Sequence, residues 1–390
     1  MKKARKYIIM GVVLTSILIV TTAFADKYQH VYRKLDLIDK VLNEYYVGNV
    51  DTYKLQEGIY KGYVAAIGDA YSSYFTKDEY NSFMEETSGS YFGIGIRMML
   101  DETDNSIVIK EVFDGSPAEE GGLKENDKIV GVAAEKVNGN DFATVSDKIV
   151  GEKGTTVAIK IYRPSEDREY TFDVRRDQIN YPTVYFKMLD NDMSYIKVTK
   201  FEEVTYNQFK EALDASEVNN AKGIILDLRD NPGGLLRMAV AMVDELVPEG
   251  PIVTTRDKNG KSAEYKADNK YIDTPMVVII NGNSASASEV VAGALKDYDR
   301  VKLVGENSFG KGIVQTIIPL TDGSAIKLTT SQYFTPKGVC IQGIGIKPDV
   351  EVKLSAEKIL KGSDLEESED DQLQAAIKTL QEEIDNKASK

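Results

Sequence analysis

The chain has 390 residues, 42% hydrophobic and 28% charged, enough for two or three domains and at least one full core. Its 62 acidic residues outnumber 48 basic ones for a net charge of −14, and no dense basic run follows residue 30, which excludes a nucleic-acid-binding face. A single cysteine, Cys340, excludes an intrachain disulfide and reads as a small apolar strand residue. The single histidine, His30, lies just past an apolar N-terminus, so a Ser-His-Asp triad is not available to the main body.

At the N-terminus, Lys2, Lys3, Arg5 and Lys6 precede Tyr7 to Ala25, nineteen residues without a charge. That length spans a bilayer, with the basic flank inside and the rest outside. Ala23-Phe24-Ala25 also fits a signal-peptide cleavage site. Residues 1–25 are therefore expected to be a membrane anchor or a signal peptide, and the body extracytoplasmic in either case.

From Val31 to about Phe83 apolar residues recur at three- and four-residue steps, which predicts helices over a region bounded at 26–88. This tyrosine-rich stretch reads either as a dimerisation or partner-binding arm or as a helical subdomain packed on the core. A glycine-rich stretch, Ser88 to Ile96, opens a strand-rich module. Strands are predicted at Ile107–Val112, Lys128–Val132, Val157–Ile161 and Tyr170–Val174, a short helix from Ser116 to Gly121-Gly122, and a second helix over Asp141–Val150. After Tyr181-Pro182 strands and helices alternate. Strands Tyr195–Val198, Ile224–Leu228 and Met276–Ile280 are each followed by a helix, which predicts a layered α/β domain with ligand sites where strands give way to helices. The tail from about Ala356 is acidic and then helical, and reads as a solvated terminal helix.

Three turns carry candidate chemistry. After Met276–Ile280 come Ser284, Ser286 and Ser288; a serine at the first turn of a helix presents its hydroxyl beside free N–H groups that can hold an oxyanion, although serine also caps helices. After Ile224–Leu228 come Gly233 and Gly234, where a backbone N–H can approach a ligand, or where the chain simply turns. Lys311 lies between Gly310 and Gly312. A lysine serves as a general base only when neutral, so burial must bring its pKa from about 10.4 toward about 7–8, a difference of roughly 4 kcal/mol. The competing reading is an exposed loop lysine. Gly305 to Lys311 also matches a phosphate loop, but Gly312 stands where Ser or Thr should follow, and a strand pattern comes next instead of a helix.

Together these segments resemble the C-terminal processing peptidases, or tail-specific proteases, a family of Ser-Lys serine endopeptidases. The resemblance rests on Gly68–Tyr74, Tyr91–Ile96, Gly115–Ala118 with Gly122–Asp127, Leu226–Gly234, Ser284–Glu289, Phe309–Gln315 and Ile341–Asp349, in this order along the chain. It implies Ser286 as nucleophile, Lys311 as general base and Gln315 as the residue that orients the lysine, four positions on and on the same side if both lie in one strand. It implies an oxyanion hole from the backbone of Ala287 and the glycine turn, with Gly233 favoured over Gly234, and no metal or cofactor. The middle module then resembles a PDZ domain whose Gly93-Ile94-Gly95-Ile96 loop would receive a substrate C-terminus while the peptide adds as a strand. Relatives often carry a basic residue where this chain has Val150, so no arginine sensor is assigned.

The expected architecture is α/β multidomain: residues 1–25 anchor or signal, 26–88 helical, 89–178 PDZ, 179–355 a catalytic domain of ClpP/crotonase-like layering, and 356–390 an acidic helical tail. Expected partners are proteins or peptides with accessible C-termini, the membrane through the N-terminal segment, and a second copy through the terminal helices. The alternatives are a non-catalytic PDZ scaffold with a degraded site and an acyl-CoA enzyme, in which Ser286 and Lys311 would have no role.

Overall fold

The computed structural model describes residues 28–362 and 365–389. The anchor or signal peptide expected at 1–25 lies outside the described residues, and among those described no helix is long and apolar enough to cross a membrane. The chain forms two compact units that divide between Gly68 and Asp69. In the first, α1 (28–45) and α2 (Thr52–Ala65) form the predicted helices. Asp51 caps α2 by accepting the Lys54 N–H, and of its side chains only Val64 is buried.

The second unit begins with a difference from the sequence reading. The region 26–88, expected to be helical, contains a short strand, β1 (Ser73–Phe75), followed by α3 (Lys77–Ser88). Thr76 and Glu79 cap α3 reciprocally, and Gly89 ends it at φ 67°. The module after it contains β2 (Ser90–Gly93), β3 (Ile96–Asp101), β4 (Ser106–Val112), α4 (Pro117–Glu120), β5 (Lys128–Val132), β6 (Glu135–Lys136), α5 (Phe142–Ile149), β7 (Thr156–Arg163), β8 (Arg168–Arg175) and β9 (Asp177–Asn180). Its main sheet runs β3-β4-β5-β7-β8 with β3 at the edge, while β2 pairs separately with β9. Alternate residues Val157, Ile159 and Ile161 of β7 point into a core shared with Ile107, Ile109, Val145 and Ile149.

The remaining elements are β10 (Val184–Met188), β11 (Met193–Val198), α6 (Thr205–Val218), β12 (Gly223–Asp227), α7 (Leu236–Asp244), β13 (Gly250–Asp257), β14 (Ser262–Ala267), β15 (Met276–Ile280), α8 (Ala287–Asp297), β16 (Lys302–Gly305), β17 (Ile313–Pro319), β18 (Ala325–Phe334), β19 (Val350–Glu351), α9 (Ala356–Lys361) and α10 (Asp371–Ala388). A six-stranded sheet, β10-β11-β12-β15-β16-β19, is parallel except for the β10–β11 pair. Every residue of β12 and β15 is buried, as parallel strands covered on both faces require. Ile224, Leu226, Val278 and Ile280 share a core with α6, α7 and α8; Ile225, Val277 and Ile279 point the other way, onto α10. The tail is therefore not a solvated helix. Leu373, Ala376 and Leu380 bury its apolar stripe on the back of the sheet. An antiparallel sheet, β1-β18-β13-β14 with β17 on β18, completes the unit.

Candidate active site

Adjacent parallel strands β12 and β15 end side by side, with Asp227 opposite Ile279, so the turns that leave them meet at one edge of the sheet. Asn231, fully buried, joins the two turns. Its amide donates to the Val198 carbonyl at 2.9 Å, its side-chain oxygen accepts the Gly233 N–H at 2.9 Å, and its carbonyl accepts from Ala285 N and Ser288 Oγ. Gly233 has φ 103°, and a Cβ there would fall 2.7 Å from the Ala285 carbonyl and 2.8 Å from Ser286 Cβ, so only glycine fits.

The three serines separate by their partners. Ser284 Oγ donates to the Leu228 carbonyl at 2.8 Å and accepts the Asn281 N–H; Ser288 Oγ donates to the Asn231 carbonyl at 2.9 Å; both are fully buried. Ser286 instead lines a cavity of about 630 Å³. It stands at the N-cap of α8 with φ 55° and ψ −111°, a conformation that costs of order 1–3 kcal/mol and must be held by its surroundings. Two groups hold it: the Glu289 carboxylate accepts the Ser286 N–H at 2.9 Å, and the Tyr333 hydroxyl donates to the Ser286 carbonyl at 3.1 Å.

Glu289 also positions the lysine loop. Its Oε1 accepts from Ser308 Oγ at 2.5 Å and Gly310 N at 2.7 Å, and its Oε2 accepts Lys311 N at 2.8 Å as well as Ser286 N. One buried carboxylate thus fixes the backbones of Ser286 and Lys311 against each other. Lys311 is half-buried, and its ammonium lies 4.7 Å from the centre of the Tyr71 ring. Burial, then the charge of Lys327, push its pKa below the ordinary value; Glu289 and Asp69 oppose this. No hydrogen bond joins Lys311 Nζ to Ser286 Oγ in this arrangement. The loop is followed by β17, not by a helix, as the rejection of a phosphate loop required.

Gln315 lines the same cavity, but the strand argument for it does not hold: β17 starts at Ile313, beyond Lys311, and a bulge shifts its register between Val314 and Gln315. The Gln315 amide donates to Thr329 Oγ1 at 3.3 Å and makes no hydrogen bond with Lys311. Gly233 and Ala287 also line the cavity. The Gly233 N–H is committed to Asn231, whereas Ala287 N, at the first turn of α8, has no backbone partner. In the strand-rich module, the Tyr91 ring lies against Gly93 and stacks on Tyr181 at 4.7 Å, and its hydroxyl lies near the backbone N–H groups of Gly95 and Ile96. Burial pushes that phenol up to about 12. The Ile94 side chain is fully buried in the module core. Cys340 is a partly buried free thiol in a single bridge with Phe334.

The profile of peptidase family S41 matches residues 192–352, and that of the PDZ domain residues 82–161. Carboxy-terminal processing protease CtpA of Bacillus subtilis is 37% identical over 318 residues, 81% of this chain and 67% of that one. The carboxy-terminal-processing protease of Bartonella bacilliformis is 33% identical over 389 residues, 96% of this chain and 88% of that one. The chain belongs to the carboxy-terminal processing proteases of family S41. It is a serine-type peptidase with a PDZ domain, α/β and multidomain as expected. A crystal structure assigned to the S41 proteases, from Bacteroides fragilis, superposes with TM-score 0.52 at 17% identity over 88% of this chain and 97% of that one, a likeness of fold.

Sequence reasoning missed several residues that build the site of this peptidase. Glu289 stands three residues after Ser286, the spacing of a capping box, and that signal was available. Asp69 and Tyr71 come from the segment before β1, and Lys327 and Thr329 from β18; they reach the cavity region only through the pairing of β1 with β18, which no local pattern announces.

Proposed function

We propose that this peptidase is an exported endopeptidase that receives substrate C-termini in its PDZ domain and cleaves peptide bonds with a Ser286–Lys311 dyad. The observation that carries the reading is the pairing made by Glu289: the one serine of three whose hydroxyl lines the cavity shares a carboxylate with the backbone of a half-buried, pKa-depressed lysine. Neutral Lys311 takes the hydroxyl proton as Ser286 attacks the scissile carbonyl, giving a tetrahedral intermediate. It then protonates the amine as the C–N bond breaks, which leaves the acyl-enzyme, and afterwards activates water for deacylation. To do so it leaves the Tyr71 ring and turns toward Ser286. Ala287 N, with the glycine turn, is the donor for the oxyanion; Gly233 serves once its N–H is released from Asn231. Gln315, freed from Thr329, orients the lysine.

Export rests on the uncharged run Tyr7–Ala25 behind its basic flank, which anchors the chain or is cleaved. The exposed apolar side chains of the first unit, among them Tyr45, Val47 and Tyr53, support pairing of copies through the terminal helices. β3, at the sheet edge, is the strand to which a peptide would add. Cleavage of an unfolded protein by the full chain tests the dyad. Ser286→Ala and Lys311→Ala should each lower kcat by about 10³-fold or more while the protein stays folded. Retained cleavage in either variant rules the dyad out.

A further inference from the structure

The cavity that holds Ser286 and Lys311 is lined by four cations, and they are not alike. Lys200 pairs with Glu86 at 3.0 Å, and Arg237 pairs with Glu203. Lys311 and Lys327 have no carboxylate partner among the described residues, although the chain carries 62 acidic residues against 48 basic ones. Lys327 is half-buried in β18, opposite Ile317 of β17 and Ser73 of β1, and its ammonium lies 5.6 Å from the centre of the Phe83 ring. Both lysines thus rest on aromatic faces inside one cavity, and aromatic faces leave a positive charge largely uncompensated.

We propose that Lys327 is a positioning residue that acts through Lys311: its unpaired ammonium opposes a second positive charge in the same cavity and so keeps Lys311 in the unprotonated form that can take the Ser286 proton. The inference rests on the Ser-Lys reading above. An adjacent cation is one of the few ways to activate a lysine, and it works best where water is partly excluded. Other groups facing Lys311 pull in both directions. From α8 comes the Glu289 carboxylate, already bound by four donors; from the segment before β1 come Asp69, which favours the charged lysine, and Tyr71; from β18 come Lys327 and the Tyr333 hydroxyl. Asp69 is itself engaged by the Ser72 hydroxyl at 2.5 Å. Lys327 is the group on the opposing side, and the charge it adds is the second cause, after burial, of the Lys311 shift.

The test is the pH dependence of kcat/KM for a disordered peptide substrate, measured on the full chain. In the parent protein the rate rises with pH through the depressed lysine value. Lys327→Met and Lys327→Gln should move that rising limb up by about one pH unit, a loss of about tenfold at a pH on the limb, while Lys327→Arg leaves it in place. Two neutral replacements, each checked by its melting transition, separate charge from packing. A limb that stays put in both neutral variants overturns the inference, whether the rate falls or only KM changes, as it would if Lys327 received a substrate carboxylate. Failure of the Ser-Lys reading has a different signature, cleavage that survives Lys311→Ala.

Discussion

At the residue scale the site depends on a carboxylate that no substrate need touch. Glu289 is fully buried, and its two oxygens accept four hydrogen bonds, from Ser286 N, Lys311 N, Gly310 N and Ser308 Oγ. Four donors suit an ionised carboxylate, which only accepts. In Glu289→Gln one oxygen becomes an amide nitrogen, so two of those donors face another donor inside the protein. Leaving buried partners unpaired costs roughly 2–5 kcal/mol. The variant should therefore unfold at clearly lower denaturant, and its remaining folded fraction should cleave more slowly, because Ser286 loses one of the two groups that keep its φ at 55°. An unchanged unfolding midpoint would count against this account of Glu289. The Ser-x-x-Glu spacing made the capping half of this role readable from sequence. The lysine half was hidden, because Ser308 to Lys311 meet Glu289 across eighteen or more intervening residues.

At the element scale, the loop between β2 and β3 has a phenol beside its N–H groups. The Tyr91 hydroxyl lies near those of Gly95 and Ile96, two of the positions expected to receive a substrate carboxylate, so a C-terminus arriving there competes with a phenol. Tyr91→Phe keeps the ring stacked on Tyr181 and removes the competing hydroxyl. A hydrogen bond is worth about 0.5–1.5 kcal/mol net, so affinity for a peptide with a free C-terminal carboxylate should rise by up to about tenfold, read by fluorescence anisotropy. Equal binding of the amidated peptide would show that the loop does not read a carboxylate. The elements themselves were mostly legible: Lys128–Val132 and Met276–Ile280 have the bounds that periodicity predicts, because their burial is set by neighbours close in sequence. β1, β14 and β18 were not. Most residues of these strands are only partly buried or exposed; β1 and β18 exist by pairing with partners far along the chain, Ser73 with Lys327 and Thr254 with Phe334, and β14 by a hairpin with β13.

At the scale of the whole molecule, the acidic tail was the clearest misreading, and its cause is long-range charge. Composition alone makes Glu366 to Asp371 a solvated run, yet Asp370 is buried and accepts N–H bonds from Gln372 and Leu373 at the start of α10 while pairing with Arg229 at 2.8 Å. Arg229 in turn holds Asp227, which also accepts the Tyr195 hydroxyl at 2.6 Å. Burial alone would push the Asp227 carboxyl up, but the Arg229 guanidinium and its hydrogen bonds outweigh it and hold the carboxyl below the ordinary value of 3.8. A carboxyl depressed in the folded state contributes stability that is present above the unfolded value and lost as pH falls through the folded one, so this cluster yields only below about pH 3.8. Asp227 ends β12, the strand that runs into the Gly233 turn, so the C-terminal helix is clamped to the strand that leads into the site. Asp370→Ala removes both the cap and one partner of a buried guanidinium, with losses of about 1 kcal/mol and roughly 3–5 kcal/mol. Asp370→Asn keeps an oxygen for Gln372 N and Leu373 N and loses only the charge, so its melting temperature should fall between those of Asp370→Ala and the parent. Well below either transition both variants should cleave at the parent rate, since Asp370 borders the sheet and not the cavity. Equal melting temperatures for the parent and Asp370→Ala would mean that α10 is held by Leu373, Ala376 and Leu380 alone, and that the Arg229 bridge adds nothing to the fold.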